Sequence, residues 1–169
     1  VECWSILIIP MAMVFAFGFY IKRKKLAYSI FGVMLAAYLV GVFINVSQEM
    51  GGNPRIDEMG IAQSGGAMEG KEVRIGSASG ALWSVTTTVT SNDSTMPLSG
   101  LVEMLNMQIN TWFGGVGVGW MNYYTFIIIA VFISGLMVGR TPEFLGKKVE
   151  AREMKIATIV ALLHPFVIL

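Results

Sequence analysis

Two long apolar segments near the start of the chain predict a pair of membrane-spanning helices. Residues 4–21 and 26–46 contain no charged side chain. At a rise of 1.5 Å per residue, each is long enough to cross the roughly 30 Å hydrocarbon core of a bilayer. Only four basic residues, Lys22 to Lys25, separate the two segments. The pattern therefore predicts a tight antiparallel hairpin with a basic cluster at its tip.

A third apolar segment is too short to cross a membrane. Residues 80–92, GALWSVTTTVTSN, begin as an apolar helix and end in a run of hydroxyl side chains. At 1.5 Å per residue they extend for about 20 Å, so a segment that enters the bilayer here has to turn back near its middle. Irregular backbone is tolerated at that depth only where it is buried in protein or lines a water-filled cavity. We therefore predict a re-entrant loop, in which an extended threonine strand follows a short helix.

Two further apolar segments have lengths that do not match a single crossing. Residues 98–138 extend for about 41 residues, twice what one crossing requires, so we expect a break at the glycines of residues 114–119. Residues 156–169 form an apolar run of about 14 residues that ends with the chain and is too short to cross. We interpret the sequence as an internal part of a longer membrane protein.

The distribution of lysine and arginine predicts the topology. Of the 12 basic residues, four lie at positions 22–25 and five lie between residues 140 and 155, and short cytoplasmic loops collect such residues. Both loops face the cytoplasm only if the re-entrant loop enters and leaves on the opposite side. The predicted segments are two transmembrane helices (4–46), an extracytoplasmic loop (47–77), a re-entrant pore helix and filter (78–97), a long broken helix (98–138), a cytoplasmic loop (139–152) and a truncated helix (153–169).

Composition supports a membrane protein and argues against several other classes. Hydrophobic residues make up 54% of the chain and charged residues 14%, and the formal net charge is +1, so nothing indicates electrostatic binding to nucleic acid. The single cysteine, Cys3, cannot form a disulfide within the chain, and a lone histidine, His164, does not make a metal site. No nucleophile, base and orienting residue occur in a recognisable spacing. We predict no catalysis on this chain and no metal other than a transported ion.

The hydroxyl-rich run has the chemistry of a cation site. A short helix that enters from outside directs the partial negative charge of its C-terminal carbonyls toward the membrane centre. Rings of such oxygens replace the hydration shell of K+ in selectivity filters. One strand does not close a ring, so a pore requires several such strands. The alternative is a threonine-rich loop at the membrane surface that binds no ion.

The glycine run GGVGVG, residues 114–119, leaves two interpretations open. It lacks the complete spacing of a nucleotide-binding loop and follows no predicted strand. It is either a close helix contact through Gly115 and Gly119 or a helix break that forms a flexible constriction below the filter. We prefer the break, because a long helix is weakest at a run of glycines.

Two charged residues also have alternative interpretations. Glu103 either lies at the outer membrane interface or is an ionisable group at depth, which is a candidate functional group by default. Arg140, in GRTPEFLGKK, is either a topology anchor or part of a docking surface for a cytoplasmic partner. The docking surface would be shaped by Pro142, which restricts the preceding residue and fixes the turn.

Five stretches of the chain match motifs of a known family. They are IIPMAMVFAFG (8–18), EGKEVRIG (69–76), ALWSVTTTVTSN (81–92), FGGVGVG (113–119) and AVFISGLMVGRTPEFLGKKVEAREMK (130–155). They resemble the KdpA family, the potassium-binding and translocating subunits of bacterial potassium-importing P-type ATPases. The similarity covers essentially the whole chain, and the GRTPEFLGKK motif is highly specific.

The resemblance implies an all-α integral membrane protein of the potassium-channel-like superfamily. Such proteins are built from helix, re-entrant pore loop and helix repeats, of which this chain would hold about one complete repeat. The resemblance also implies K+ as the substrate ion, no tightly bound cofactor, and a multi-pass location in the bacterial inner membrane. The implied partners are KdpB, KdpC and KdpF, with ATP hydrolysis on KdpB.

The resemblance assigns three groups of residues, position by position. The potassium filter comprises Thr88, Val89, Thr90, Ser91 and Asn92, with Ser91 the best single candidate for a carbonyl ligand. The helix break comprises Gly114, Gly115, Gly117 and Gly119. The cytoplasmic motif comprises Arg140, Thr141, Pro142 and Glu143.

The sequence departs from the family pattern directly after the filter. The family continues past Asn92 with a glycine and several more residues, whereas here Asn92 meets Asp93 about seven residues early. The absent glycine is the one whose positive φ a filter requires. Either the chain was engineered or a loop is missing between these residues, and we favour a missing loop.

The function predicted from the sequence is binding and translocation of extracellular K+ through a selectivity filter. The chain would act as part of the channel-like subunit of an ATP-driven, high-affinity potassium import system. Two alternatives are a membrane scaffold subunit that conducts no ion and a passive K+ channel of the same superfamily.

Overall fold

The computed structural model describes residues 1–68, 70–90, 100–108, 112–114 and 118–168. These residues divide into two compact units, Val1–Trp120 and Met121–Leu169. Their elements in chain order are α1 (Glu2–Tyr20), α2 (Lys24–Met50), α3 (Pro54–Glu58), α4 (Gly76–Val89), α5 (Gly100–Gln108), α6 (Val118–Met137), β1 (Glu143–Phe144), β2 (Lys147–Lys148) and α7 (Ala151–Ile168). The described part of the chain is therefore mostly helical, as predicted.

The first two helices form the predicted pair. Helix α1 and the helical stretch that begins with α2 are each long and apolar enough to cross a membrane. The turn between them is tight, because the backbone amide of Arg23 donates to the carbonyl of Gly18 at 3.1 Å. Gly18 is buried against Ala27, and a β-carbon at Gly18 would overlap the β-carbon of Ala27. The absence of a side chain at Gly18 lets the two helices approach closely at the hairpin tip.

Helix α4 is the buried centre of the first unit. It packs against α1, α2 and α5, and its apolar residues Ala81, Val85 and Val89 are fully buried. Its 14 residues correspond to about 21 Å at 1.5 Å per residue, which is too short for one membrane crossing. Phe113 is also fully buried and lies next to the ring of Tyr38, with centroids 6.5 Å apart.

The polar segment before α4 is attached to the end of α2 by a buried ion pair. The ammonium group of Lys71 contacts the carboxylate of Glu49, and both residues are buried. Lys71 also donates to the carbonyl of Ala67 at 2.6 Å, whose own amide donates to the Glu49 carbonyl at 2.7 Å. Ser77, in the first turn of α4, donates to the carbonyl of Gly65 at 2.7 Å. These contacts fix where α4 begins.

The second unit contains most of α6, the hairpin β1–β2 and α7. Pro142 is buried, and a β-carbon at Gly135 would lie 2.7 Å from the Pro142 β-carbon. The hairpin turn uses Leu145 at φ 55° and Gly146 at φ 79°, and two positive φ angles are typical of the type I′ turn that joins paired strands. The segment 139–152, which was predicted as a loop, therefore contains a hairpin with a defined turn.

We expect Lys71→Met to destabilise the full-length protein by about 3–5 kcal/mol, because the carboxylate of Glu49 then remains buried without its cation. Thermal unfolding in detergent at neutral pH measures the effect. The control is the double variant E49Q/K71M, which removes both charges and should recover part of the loss. Equal unfolding temperatures for the single variant and the wild type would contradict the buried ion pair.

Candidate functional site

The candidate site lies at the C-terminal end of α4, where polar side chains are buried in the first unit. Thr86, Thr87, Thr88 and Thr90 are all buried. A buried hydroxyl without a hydrogen-bond partner costs free energy. The chemistry of the site therefore depends on which groups the hydroxyls of these four threonines bond to.

The expectation of an extended threonine strand is wrong for Thr86 to Val89, because these residues continue α4. Threonine is tolerated inside a helix when its hydroxyl donates to a carbonyl one turn earlier. Here three consecutive hydroxyls do so: Thr86 to Leu82 at 2.8 Å, Thr87 to Trp83 at 3.0 Å and Thr88 to Ser84 at 2.8 Å.

The helix ends at Thr90, which is the C-cap residue with φ −96° and ψ 9°. Its hydroxyl donates to the carbonyl of Thr86 at 2.9 Å, and its amide donates to the same oxygen at 3.3 Å. The Thr86 carbonyl is thus occupied by two donors. Ser91 and Asn92, the remaining two predicted filter residues, lie outside the described residues.

The carbonyl of Val89 joins the candidate filter to the glycine run. It accepts hydrogen bonds from the amide of Phe113 at 3.1 Å and the amide of Gly114 at 2.8 Å. These two bonds satisfy an orphan carbonyl at the helix end, which would otherwise lack a partner in the interior. The structure therefore brings Val89 and Gly114 together, two residues that the sequence assigned to different roles.

Gly114 lies in a backbone conformation that glycine favours. Its φ is +59°, and a β-carbon placed on it would overlap the backbone of Gly119, while a β-carbon on Gly119 would overlap Gly114. The described close approach is between Gly114 and Gly119. The contact that the sequence suggested involved Gly115, which lies outside the described residues together with Gly117.

The hydroxyl of Tyr38 extends the site toward α2. It lies 2.9 Å from the Thr86 hydroxyl oxygen. Because the single Thr86 hydroxyl proton already goes to the Leu82 carbonyl, Tyr38 is the donor in this pair. Tyr38 was not predicted from the sequence, since a tyrosine in an apolar segment is common.

A pair of buried amides connects α2 to α5. Asn45 donates to the side-chain oxygen of Asn106 at 2.9 Å, and Asn106 donates back to Asn45 at 3.0 Å. Their exposed fractions are 1% and 2%, and the second amide proton of Asn45 goes to the Gly41 carbonyl at 2.7 Å. Asn45 was not predicted from the sequence, although a polar residue within a membrane-length apolar segment is a signal for an interhelical hydrogen bond.

Ser84 is a third residue that was not predicted from the sequence. It is fully buried, with an exposed fraction of 0%, and its hydroxyl has no hydrogen-bond partner among the described residues. It lies one turn before Thr88, whose hydroxyl donates to the Ser84 carbonyl. Ser84 therefore adds a polar oxygen to the buried interior around α4.

Residues 140–143, predicted to face the cytoplasm, lie in the second unit and include one buried residue. Arg140, Thr141 and Glu143 are exposed, and Pro142 is buried. The amide of Arg140 donates to the Gly135 carbonyl at 3.0 Å, which ends α6 in a fixed turn. The side chains of Glu103 and His164 are not among those described. Within the described ranges, no group of three or more His, Cys, Asp or Glu could hold a metal.

The described elements define a mostly helical protein with two helices suited to crossing a membrane and a short buried helix that ends in threonines. The chain belongs to the KdpA family, because the family model described as "Potassium-transporting ATPase A subunit" matches residues 1–169. The resemblance drawn from the motifs is thereby confirmed.

Curated relatives named "Potassium-transporting ATPase potassium-binding subunit" match over the full chain. Those of Phocaeicola vulgatus and Bacteroides thetaiotaomicron are each 85% identical to it. The relative from Flavobacterium psychrophilum is 59% identical. Each match includes 100% of this chain and 31% of the relative. The chain therefore spans about a third of the length of these relatives.

The alignments with these relatives are longer than the chain. Each extends over 176 residues, seven more than the 169 residues of the chain. The loop expected between Asn92 and Asp93 stays a prediction, because an alignment length does not place the additional positions along the chain. That junction itself lies outside the described residues.

We expect Gly114→Ala to destabilise the full-length protein. A left-handed φ costs a non-glycine residue about 1–2 kcal/mol, and the added β-carbon would also overlap Gly119. Thermal unfolding of the purified protein in detergent measures the loss.

The matched control for Gly114→Ala is Gly32→Ala in α2, where a β-carbon would meet no atom within 4 Å. There alanine should be neutral or stabilise the helix by about 0.5–1 kcal/mol. Indistinguishable unfolding temperatures for the two variants would contradict the close approach of Gly114 and Gly119.

Proposed function

We propose that this chain is part of the ion-binding pathway of a K+-transporting subunit, which binds extracellular K+ and passes it across the inner membrane. The relatives that match its full length are named as potassium-binding subunits of a potassium-transporting ATPase. The observation that carries the proposal within this chain is the short helix α4, whose C-terminal end holds buried threonines.

The threonine end of α4 has the electrostatics that a dehydrated cation requires. The C-terminus of a helix carries about half a negative charge. The hydroxyls of Thr87 and Thr88 direct their protons into the helix, toward carbonyls one turn earlier. A hydroxyl oxygen whose proton is donated to a carbonyl keeps its lone pairs, and its proton does not point toward a bound cation. Such oxygens can replace the water shell of K+.

We assign the filter to the end of α4 and the residues that follow it, Thr88 to Asn92, with a carbonyl of Ser91 as the principal ligand. In this assignment helix α4 enters the membrane from the extracytoplasmic side. The chain after it then turns back, because a helix of about 21 Å is too short to cross the hydrocarbon core. Val89 anchors the filter, since its carbonyl accepts from Phe113 and Gly114. A ring of ligands requires equivalent strands from the rest of the protein.

The glycine run, residues 114–119, is proposed as the control point below the filter. Gly114 touches both the filter helix, through Val89, and the start of α6, through Gly119. A movement that changes the contact of Gly114 with Val89 would also change its contact with Gly119, because neither Gly114 nor Gly119 has space for a side chain. This supports a role in gating or transfer of the ion.

Energy for import is assigned to a partner subunit. In this proposal KdpB hydrolyses ATP and KdpC and KdpF complete the complex in the inner membrane. We also propose that Arg140 to Glu143 form a docking surface for a cytoplasmic partner. Three of these four residues are exposed, and the buried Pro142 fixes the backbone between them. Strict dependence of uptake into vesicles on ATP separates this function from that of a passive K+ channel.

Binding of K+ should slow hydrogen exchange of the backbone amides in residues 86–92 of the complete complex, because a coordinated ion holds the filter backbone in one conformation. Mass-spectrometric hydrogen exchange in KCl and in NaCl at equal ionic strength measures this. The amides of α1 serve as the internal control and should exchange equally in both salts. Identical exchange throughout residues 86–92 is the result expected of a scaffold that conducts no ion.

We expect Ser91→Leu to weaken K+ binding by about tenfold or more, because the bulkier side chain displaces the Ser91 carbonyl from the ion, and a loss of about 1.4 kcal/mol corresponds to that factor. The apparent K+ affinity of uptake and of K+-stimulated ATP hydrolysis by the complete complex measures it. Ser29→Leu, at an exposed position of α2, is the matched control and should leave the affinity unchanged. An unchanged affinity in Ser91→Leu would remove Ser91 from the filter.

A further inference from the structure

The tip of the α1–α2 hairpin forms a pocket that the potassium function does not use. Its volume is about 770 Å³. Four of the lining residues are basic, namely Lys22, Arg23, Lys24 and Lys25, and the other two, Phe19 and Leu26, are apolar.

The four cations at this tip have no anionic partner in the described part of the chain. All four side chains are exposed, and the two ion pairs formed by the described residues, Lys71 with Glu49 and Arg74 with Glu72, lie elsewhere. Lys24 lies over the ring of Phe19, 4.8 Å from its centroid. Four adjacent like charges repel one another, so an anion that bound between them would lower their energy.

The backbone holds the pocket in one shape before any ligand binds. Lys22 adopts φ 60°, a left-handed conformation that glycine or asparagine would adopt at lower cost. Its amide donates to the Phe19 carbonyl at 3.1 Å, and the Arg23 amide donates to the Gly18 carbonyl at 3.1 Å. Preorganisation of this kind reduces the entropy lost on binding.

We propose that this pocket binds the phosphate headgroup of an anionic phospholipid in the cytoplasmic leaflet. Basic pockets between transmembrane helices on the cytoplasmic side are suited to such headgroups. A lipid fits better than free phosphate, because Phe19 and Leu26 give the pocket an apolar part that the glycerol backbone and the first acyl carbons can contact. The inference rests on the predicted topology but is independent of how K+ is bound.

The test uses the full-length protein, purified with the subunits it retains, and native mass spectrometry of its lipid adducts. The three probes are phosphatidylglycerol, zwitterionic phosphatidylcholine and inorganic phosphate. We expect phosphatidylglycerol to bind and phosphatidylcholine not to bind. The variant R23Q/K25Q should weaken phosphatidylglycerol binding by about thirtyfold, since each basic residue near an anionic headgroup contributes about fivefold.

Two controls separate the pocket from general charge and from misfolding. The variant K147Q/K148Q removes the same charge from the cytoplasmic hairpin of the second unit and should change phosphatidylglycerol binding by less than about threefold. The charge-conserving variant R23K/K25R keeps the cations and should retain binding, which also shows whether the tip tolerates substitution.

The proposal is overturned if R23Q/K25Q binds phosphatidylglycerol as wild type does, or if K147Q/K148Q loses as much affinity. Displacement of the lipid by equimolar inorganic phosphate would identify a free-phosphate site instead and would also overturn it. Potassium uptake is measured in parallel, so that failure of lipid binding with intact uptake is distinguished from failure of the potassium function.

Discussion

The need to satisfy polar groups inside an apolar interior governs the arrangement around α4. This helix is surrounded by α1, α2 and α5 and still carries four buried threonines near its end. Water is not available there to accept their protons, so each hydroxyl bonds to a carbonyl of the same helix. The same requirement explains why Tyr38 bonds to Thr86 and why Asn45 and Asn106 bond to each other in the interior. Apolar packing brings the helices together, and these hydrogen bonds set their relative positions.

Helix α4 is held at both ends by contacts that lie far apart in sequence. At its start, Ser77 bonds to Gly65, and the ion pair of Glu49 with Lys71 attaches the preceding segment to α2. At its end, the Val89 carbonyl receives two amide protons. A short helix of 14 residues has little stability of its own. Its position therefore depends on these end contacts, and a site built on its last turn acquires its geometry from them.

Sequence reasoning predicted the long apolar helices because their signal is length, which residues 4–21 and 26–46 display directly. It predicted the wrong backbone for Thr86 to Val89, because β-branched residues favour strands and the back-bonding of their hydroxyls is not visible in the sequence. It missed the pairing of Asn45 with Asn106, which are 61 positions apart. It placed both Glu49 and Lys71 in an extracytoplasmic loop (47–77), and only the folded chain shows that they are buried.

The bonds at Val89 constrain how an ion could act on this region. A carbonyl oxygen has two lone pairs, and in this conformation Phe113 and Gly114 occupy both. A cation that drew on the Val89 oxygen would have to displace at least one of these amides, because an N–H proton and a cation compete for the same electrons. Gly114 lies close against Gly119, since a β-carbon on either glycine would overlap the backbone of the other. Under the proposed function, an ion bound to the Val89 oxygen would therefore be linked to the position of Gly114 through this single atom.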